Sequence, residues 1–228
     1  MSGESFIGSL DPDFNPFDGD YLAEILEATA HAWARMRPPK RNEIEDRITF
    51  RLVGQLKNAP EFAEIPYDVT PQWWIVGLDG ELFGRLDIRF KHPRSRRDYF
   101  GFEAKRLHVT YPSGKTSKEY STYAGEAGMM AFIEGQYSKM LPAGGMLGYV
   151  MDGKSDEAWS GIGKQIESQR TVLKLSTGCT FARSTLSRAL ERALSGSHLG
   201  ETDHDLTTHH LRLFHLLLPV RTSTPQAL

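Results

Sequence analysis

Asp87 and the tripeptide Glu103-Ala104-Lys105 combine the residue types that hydrolysis of a phosphate ester uses. Two carboxylates can share a divalent cation, and an ammonium group can face negative charge as it develops. Fifteen residues lie between Asp87 and Glu103, enough for two neighbouring strands and the loop that joins them. Side chains alternate along a strand, so residues 87, 103 and 105 share one face if the strands are regular. Carboxylates held that close repel each other, and a bound cation relieves the cost. Mg²⁺, with Mn²⁺ as a substitute, is the expected cofactor, held by Asp87, Glu103 and the backbone carbonyl of Ala104. Lys105 is then placed to partner the attacking water or the phosphate. The competing reading makes the same residues the solvent face of a hairpin, with paired surface charges worth under ~1 kcal/mol.

The elements that must position these residues can be read from periodicity. Leu22, Ile25, Leu26 and Trp33 recur at helical intervals over 21–36, and Pro38-Pro39 stops the pattern. Ile44, Ile48, Leu52, Val53 and Leu56 form one stripe over 42–56, with Asn42 as the expected N-cap. Trp73-Trp74-Ile75-Val76 reads as a strand and Asp79-Gly80 as a turn; adjacent strand residues point oppositely, so at least one tryptophan is expected in the core. Strands are expected over 81–91 and 99–107, a helix over 126–139, a strand over 146–151, a helix over 154–170 and a last strand over 211–218. This order, α, α, β, β, β, α, β, α, β, predicts an α/β fold. Its expected domain occupies 21–220, with a flexible segment at 1–20 and a tail at 221–228.

Leu86-Asp87 followed by Glu103-Ala104-Lys105 resembles the signature of the PD-(D/E)xK nuclease superfamily, the restriction-endonuclease-like fold, over 42–151. Leu86 stands where the name has proline. The resemblance implies a central mixed β-sheet flanked by helices, a Mg²⁺-dependent nuclease, and DNA rather than RNA as substrate. It also implies an acidic residue on the preceding helix that can join the metal site. Glu45 is preferred, because Glu45, Ile48 and Thr49 share a helix face, and Glu43 stays open. On the helix after the strands, Gln136 is the polar residue expected to touch phosphate or position water. The segment 100–107, with Tyr120, Tyr123 and Tyr149, is similar in texture to members in bacterial restriction and phage-defence loci.

With 27 basic and 29 acidic residues the chain offers nucleic acid no overall attraction, so any attraction must be local. Arg89, Arg94, Arg96, Arg97 and Arg106 cluster around the two strands and are the expected phosphate-binding surface. His204, His209, His210 and His215 match no standard zinc spacing and are read as surface or partly buried histidines. Cys179 is the single cysteine, which excludes an internal disulfide and fits a reducing, cytoplasmic setting. No membrane partner is expected, because the apolar run 211–220 is too short to span a bilayer. A homodimer or a partner subunit in a larger assembly stays open, as does an inactive binding module that kept the fold.

Overall fold

Pro38-Pro39 cannot continue a helix, and the first element, α1 (Gly19–Arg35), ends just before them. The computed structural model describes residues 19–63, 67–76, 79–93, 99–137, 141–188 and 196–221. The segments read as a flexible N-terminus and a C-terminal tail therefore lie almost wholly outside the described residues. Helix α2 (Glu45–Lys57) buries Ile48, Thr49, Leu52, Val53 and Leu56, as the stripe requires. Its N-cap is Ile44, with extended backbone, and not Asn42. The Lys40 N–H is bonded instead by the Glu43 carboxylate, at 2.9 Å, so the chain turns into the helix later than expected.

After the short α3 (Pro60–Ala63) come β1 (Asp68–Val76), β2 (Leu82–Lys91) and β3 (Tyr99–Leu107). A small hairpin, β4 (Val109–Thr110) and β5 (Thr116–Ser117), leads to α4 (Tyr120–Ala124) and α5 (Met129–Ile133). Then follow β6 (Ala143–Val150), α6 (Ser155–Ser168), β7 (Ala182–Arg183), β8 (His198–Asp205) and β9 (His210–Pro219). The helix expected over 126–139 is not continuous. A Cβ at Gly125 would lie 2.6 Å from the Ser121 carbonyl oxygen, and one at Gly128 2.1 Å from that of Tyr123. The backbone folds tightly here between two short helices, a close approach that only glycine allows.

Among the described residues seven strands form one sheet in the order β1-β2-β3-β6-β9-β8-β7. β1, β2 and β3 are antiparallel, β3, β6 and β9 run parallel, and β8 and β7 return antiparallel. The protein thus has the expected class: α/β, with a mixed central sheet flanked by helices, consistent with a restriction-endonuclease-like core. One buried cluster joins α1 and α2 to Ile88, Phe90, Phe100 and Phe102; the other joins α4, α5 and α6 to Leu86, Leu107, Met146 and Leu213. Every residue of β6 is buried, as expected for a parallel strand covered on both faces. At Gly145 a Cβ would come within 2.3 Å of the Phe102 ring, so the glycine makes room for that ring.

β8 was not expected, and its buried residues explain why: Leu199, Gly200, Thr202 and His204 include only one aliphatic side chain. His204 and His215 are completely buried, not at the surface. They belong to a polar chain whose proton positions follow from its end. The Leu173 carbonyl only accepts, so His204 Nδ1 donates to it at 2.7 Å. The neutral ring then accepts at Nε2 from Thr202 Oγ1, at 2.8 Å. That spends the Thr202 proton, so His215 Nε2 donates to Thr202 at 2.9 Å, and Tyr123 donates to His215 Nδ1 at 3.0 Å. Burial, helped by the neighbouring His204, pushes His215 from 6.5 down to about 3, and burial lowers His204 too.

An imidazole depressed in the folded state stabilises it above pH 6.5 and loses that contribution as pH falls toward 3. Below pH 6.5 unfolding should gain up to about 1.4 kcal/mol per pH unit from His215 alone. Urea midpoints at several pH values for wild type and His215→Leu should show the shallower acid slope in the variant. Equal slopes would mean the ring takes up its proton without unfolding.

Candidate active site at the fork of two strands

The β2–β3 ladder pairs Lys91 through Ile88 with Tyr99 through Phe102 and stops there. Beyond that point the Asp87 carboxylate fills the opening, and its Oδ2 accepts the Ala104 N–H at 2.7 Å. On the other side, Gln72 of β1 faces Asp87 with a left-handed φ of 48°, and the β1–β2 pairing skips this level. Leu86 packs with α4–α6 whereas Ile88 packs with α1 and α2, so the strand rolls over at Asp87. Regular alternation therefore fails locally, and the fork brings Asp87, Glu103 and Lys105 together in its place.

All three are buried. Lys105 Nζ donates to Glu103 Oε1 at 2.5 Å, to the Ala104 carbonyl at 2.9 Å and to Glu45 Oε1 at 3.3 Å. Glu45, in the first turn of α2, also accepts the Arg106 N–H at 2.8 Å. Of the two glutamates, Glu45 is the one brought to Lys105. Glu43 turns the other way and is held by Arg51 Nη1 at 2.8 Å and by the Lys40 N–H, bracing the entry to α2. Thr49, one turn from Glu45, meets the Tyr149 hydroxyl at 3.0 Å.

Gln136 lies beyond the end of α5, and its side-chain amide pairs with Glu134 at 3.1 Å. The next residue does reach the site: Tyr137 donates its hydroxyl to Glu103 Oε2 at 2.6 Å. Sequence reasoning missed Tyr137 because it looked for a polar residue on a helix, and the chain here has already left the helix. Tyr137→Phe should cost about 1.5–3 kcal/mol in urea unfolding, the worth of a hydrogen bond to a charged group. A change under a few tenths would mean that Glu103 does not depend on this hydroxyl.

Burial pushes the Asp87 carboxyl up to about 8, and the Glu103 charge adds to this; Lys105 and the Ala104 N–H pull the other way. Burial also raises Glu103, against the donors Lys105 and Tyr137. For Lys105 burial alone would favour the neutral amine, yet Glu103 and Glu45 hold its pKa above 10.5. Glu103 has two side-chain donors and Asp87 only one backbone N–H, so the surroundings favour the charged form of Glu103 over that of Asp87. Three carboxyls surround one ammonium group. If all ionise, the buried site holds two uncompensated negative charges, and a further cation or protons must balance them.

The chain matches no protein family, no curated protein and no solved structure.

The residues therefore carry the argument alone. Oxygen donors of this kind fit Mg²⁺ or Mn²⁺: the carboxyls of Asp87, Glu103 and Glu45 and the Ala104 carbonyl. The ammonium of Lys105 now bonds three of these donor groups, Glu103, Glu45 and the Ala104 carbonyl, and would have to give way to a metal.

The expected basic surface is only partly there. Arg89 is buried with its guanidinium 3.4 Å from the centroid of the Trp73 ring, so it is a packing element and not an exposed phosphate ligand. Arg106 is half-buried and donates to the Glu43 carbonyl at 3.1 Å. Arg94, Arg96 and Arg97 lie outside the described residues. Trp73 and Trp74 are both exposed, contrary to the expectation that one is core, because β1 is the edge strand.

A second group, His108, Asp152 and Glu157, has ligand atoms within 4.8 Å of one another. It closes on itself: His108 meets Asp152 at 2.7 Å and Tyr120 at 2.6 Å, and Glu157 is paired with Lys118. No helix among the described residues is long and apolar enough to cross a membrane.

Proposed function

We propose that the chain is a metal-dependent nuclease that hydrolyses phosphodiester bonds, with Asp87, Glu103 and the Ala104 carbonyl holding Mg²⁺ or Mn²⁺. The observation that carries this reading is the excess of carboxyls, the buried Asp87 and Glu103 with the half-buried Glu45, over the single ammonium of Lys105. A structural ion pair needs no such excess, whereas a cation site does. When bound, the metal supplies a Lewis acid for the phosphate and an activated water. The ammonium of Lys105 would then face the charge that develops on phosphate oxygens. Glu45 holds Lys105 beside β3, and Tyr137 fixes the rotamer of Glu103. DNA as the substrate, a cytoplasmic setting and a role against foreign DNA rest on the resemblance and on the lone cysteine.

The test is cleavage of plasmid and of single-stranded DNA by the purified chain with Mg²⁺, Mn²⁺ or EDTA. Cutting that needs the metal supports the reading. If the protein is inert, Mn²⁺ calorimetry separates two cases: binding means an intact site that awaits a partner, and no binding sinks the nuclease reading. In the latter case the chain is an inactive binding or interaction subunit, a role favoured by one observation: Lys105 already neutralises Glu103 without any metal.

A further inference from the structure

β1 is an outer strand of the sheet, and with β2 it leaves apolar side chains in water next to the candidate active site. Trp74 is 53% exposed and Phe83 44% exposed. Trp74 and Arg85 are directly opposed across the two strands, with the guanidinium 5.6 Å from the ring centroid. Phe83, two residues before Arg85, is the extra residue of a bulge at the exposed end of β2, where the pairing passes from Ile75–Gly84 to Val76–Leu82. Arg85 also reaches Asp46 of α2 at 3.6 Å, and Phe50, 49% exposed, lies one helical turn beyond Asp46. The patch thus joins three open aromatic rings to a cation. At one end it touches α2 beside Glu45, and along β2 it ends two residues before Asp87.

Three occupants can be compared. A second copy of this chain adding a strand to β1 would find the ladder broken at Pro71, which has no N–H, and at Gln72, whose φ is 48°. Residues 68–70 and 73–76 remain as two interrupted stretches, each shorter than the usual strand of about five to six residues. A duplex offers its phosphates but hides the faces of its bases. An unpaired strand offers both bases for the rings and phosphates for Arg85 and for Arg47, whose side chain is 76% exposed on α2. We infer that Trp74, Phe83 and Phe50 form a stacking platform for an unpaired nucleic acid strand, with Arg85 and Arg47 on its phosphates, leading into the Asp87–Glu103 fork. Binding at the platform does not depend on catalysis; its role in delivering substrate rests on the nuclease reading.

The probe is a fluorescein-labelled 15-mer of deoxythymidine, with a uridine 15-mer and a 15-base-pair duplex as further arms, titrated in EDTA so that cutting cannot intervene. Both 15-mers should bind and quench tryptophan emission, and the duplex should bind more weakly. Trp74→Ala and Phe83→Ala should each weaken the single-strand affinity about tenfold, and Trp74→Phe should restore most of it. Circular dichroism of each variant separates lost stacking from lost fold. A single-strand affinity untouched by these changes, no single-strand binding, or a preference for duplex overturns the inference. A dimer by light scattering that Trp74→Ala dissociates would assign the patch to a second copy and likewise overturn it. Binding that behaves as stated in a protein that neither cuts nor binds Mn²⁺ leaves the platform standing and the nuclease reading fallen.

Discussion

Asp87→Asn is expected to abolish metal-dependent cleavage, by about a thousandfold or more, while making the protein more stable. The two effects have one cause. Burial and the charge of Glu103 hold the Asp87 carboxyl at about 8, against an ordinary 3.8. A carboxyl raised in the folded state stabilises it fully below pH 3.8 and loses that contribution as pH climbs through 8. At pH 7 the unfolded chain has released this proton and the folded chain still binds it, so the wild type is penalised relative to a neutral side chain. Asparagine avoids the penalty, and its Oδ1 can still accept the Ala104 N–H that Asp87 Oδ2 accepts now. Urea unfolding at pH 7 should give the variant about 2–4 kcal/mol more stability, a gain that vanishes toward pH 4. Mg²⁺ or Mn²⁺ should raise the melting temperature of the wild type and leave that of Asp87→Asn unchanged. A variant less stable than wild type at pH 7 would refute the idea of an electrostatically frustrated carboxyl.

Lys105→Ala has the opposite sign. Its ammonium is the common donor to Glu103, Glu45 and the Ala104 carbonyl, and its side chain is only 10% exposed. Removing it strands two carboxylates, one of them deeply buried, and breaking such a pair costs about 3–5 kcal/mol. Because the unpaired carboxyls then bind protons more readily, the loss should shrink as pH falls. Lys105→Met combined with Glu103→Gln, which leaves no buried ion unpaired at that position, should recover most of the stability and none of the cleavage. Should the double variant unfold as easily as Lys105→Ala, the ammonium would be doing something other than balancing Glu103.

The two charge effects overlap with the histidine chain. Between pH 6.5 and 4, acidification relieves Asp87 but penalises buried His215. The wild-type profile should therefore be flatter than either group alone would give, and only the paired variants separate the slopes.

The sequence by itself determined the class of fold and named the residues of the candidate site. Asp87, Glu103 and Lys105 could be named from residue type and spacing, Glu45 from the helix face it shares with Ile48 and Thr49, and the α/β order from periodicity. These signals are local, and local signals survive without a third dimension. What only the tertiary structure decided depends on contacts between distant segments. Alternation predicted one regular face, but the site exists because β2 and β3 part after Ile88 and Asp87 turns into the gap. Tyr137 joins Glu103 across 34 residues, on a segment where glycines at 125 and 128 break the expected helix. Arg89 was a surface cation by type and is a buried one by position, because the ring of Trp73 lies across it. β8 buries threonine and histidine where periodicity looks for aliphatic side chains. In each case the deciding term is desolvation, which depends on what covers a side chain, and the linear order of residues does not record that.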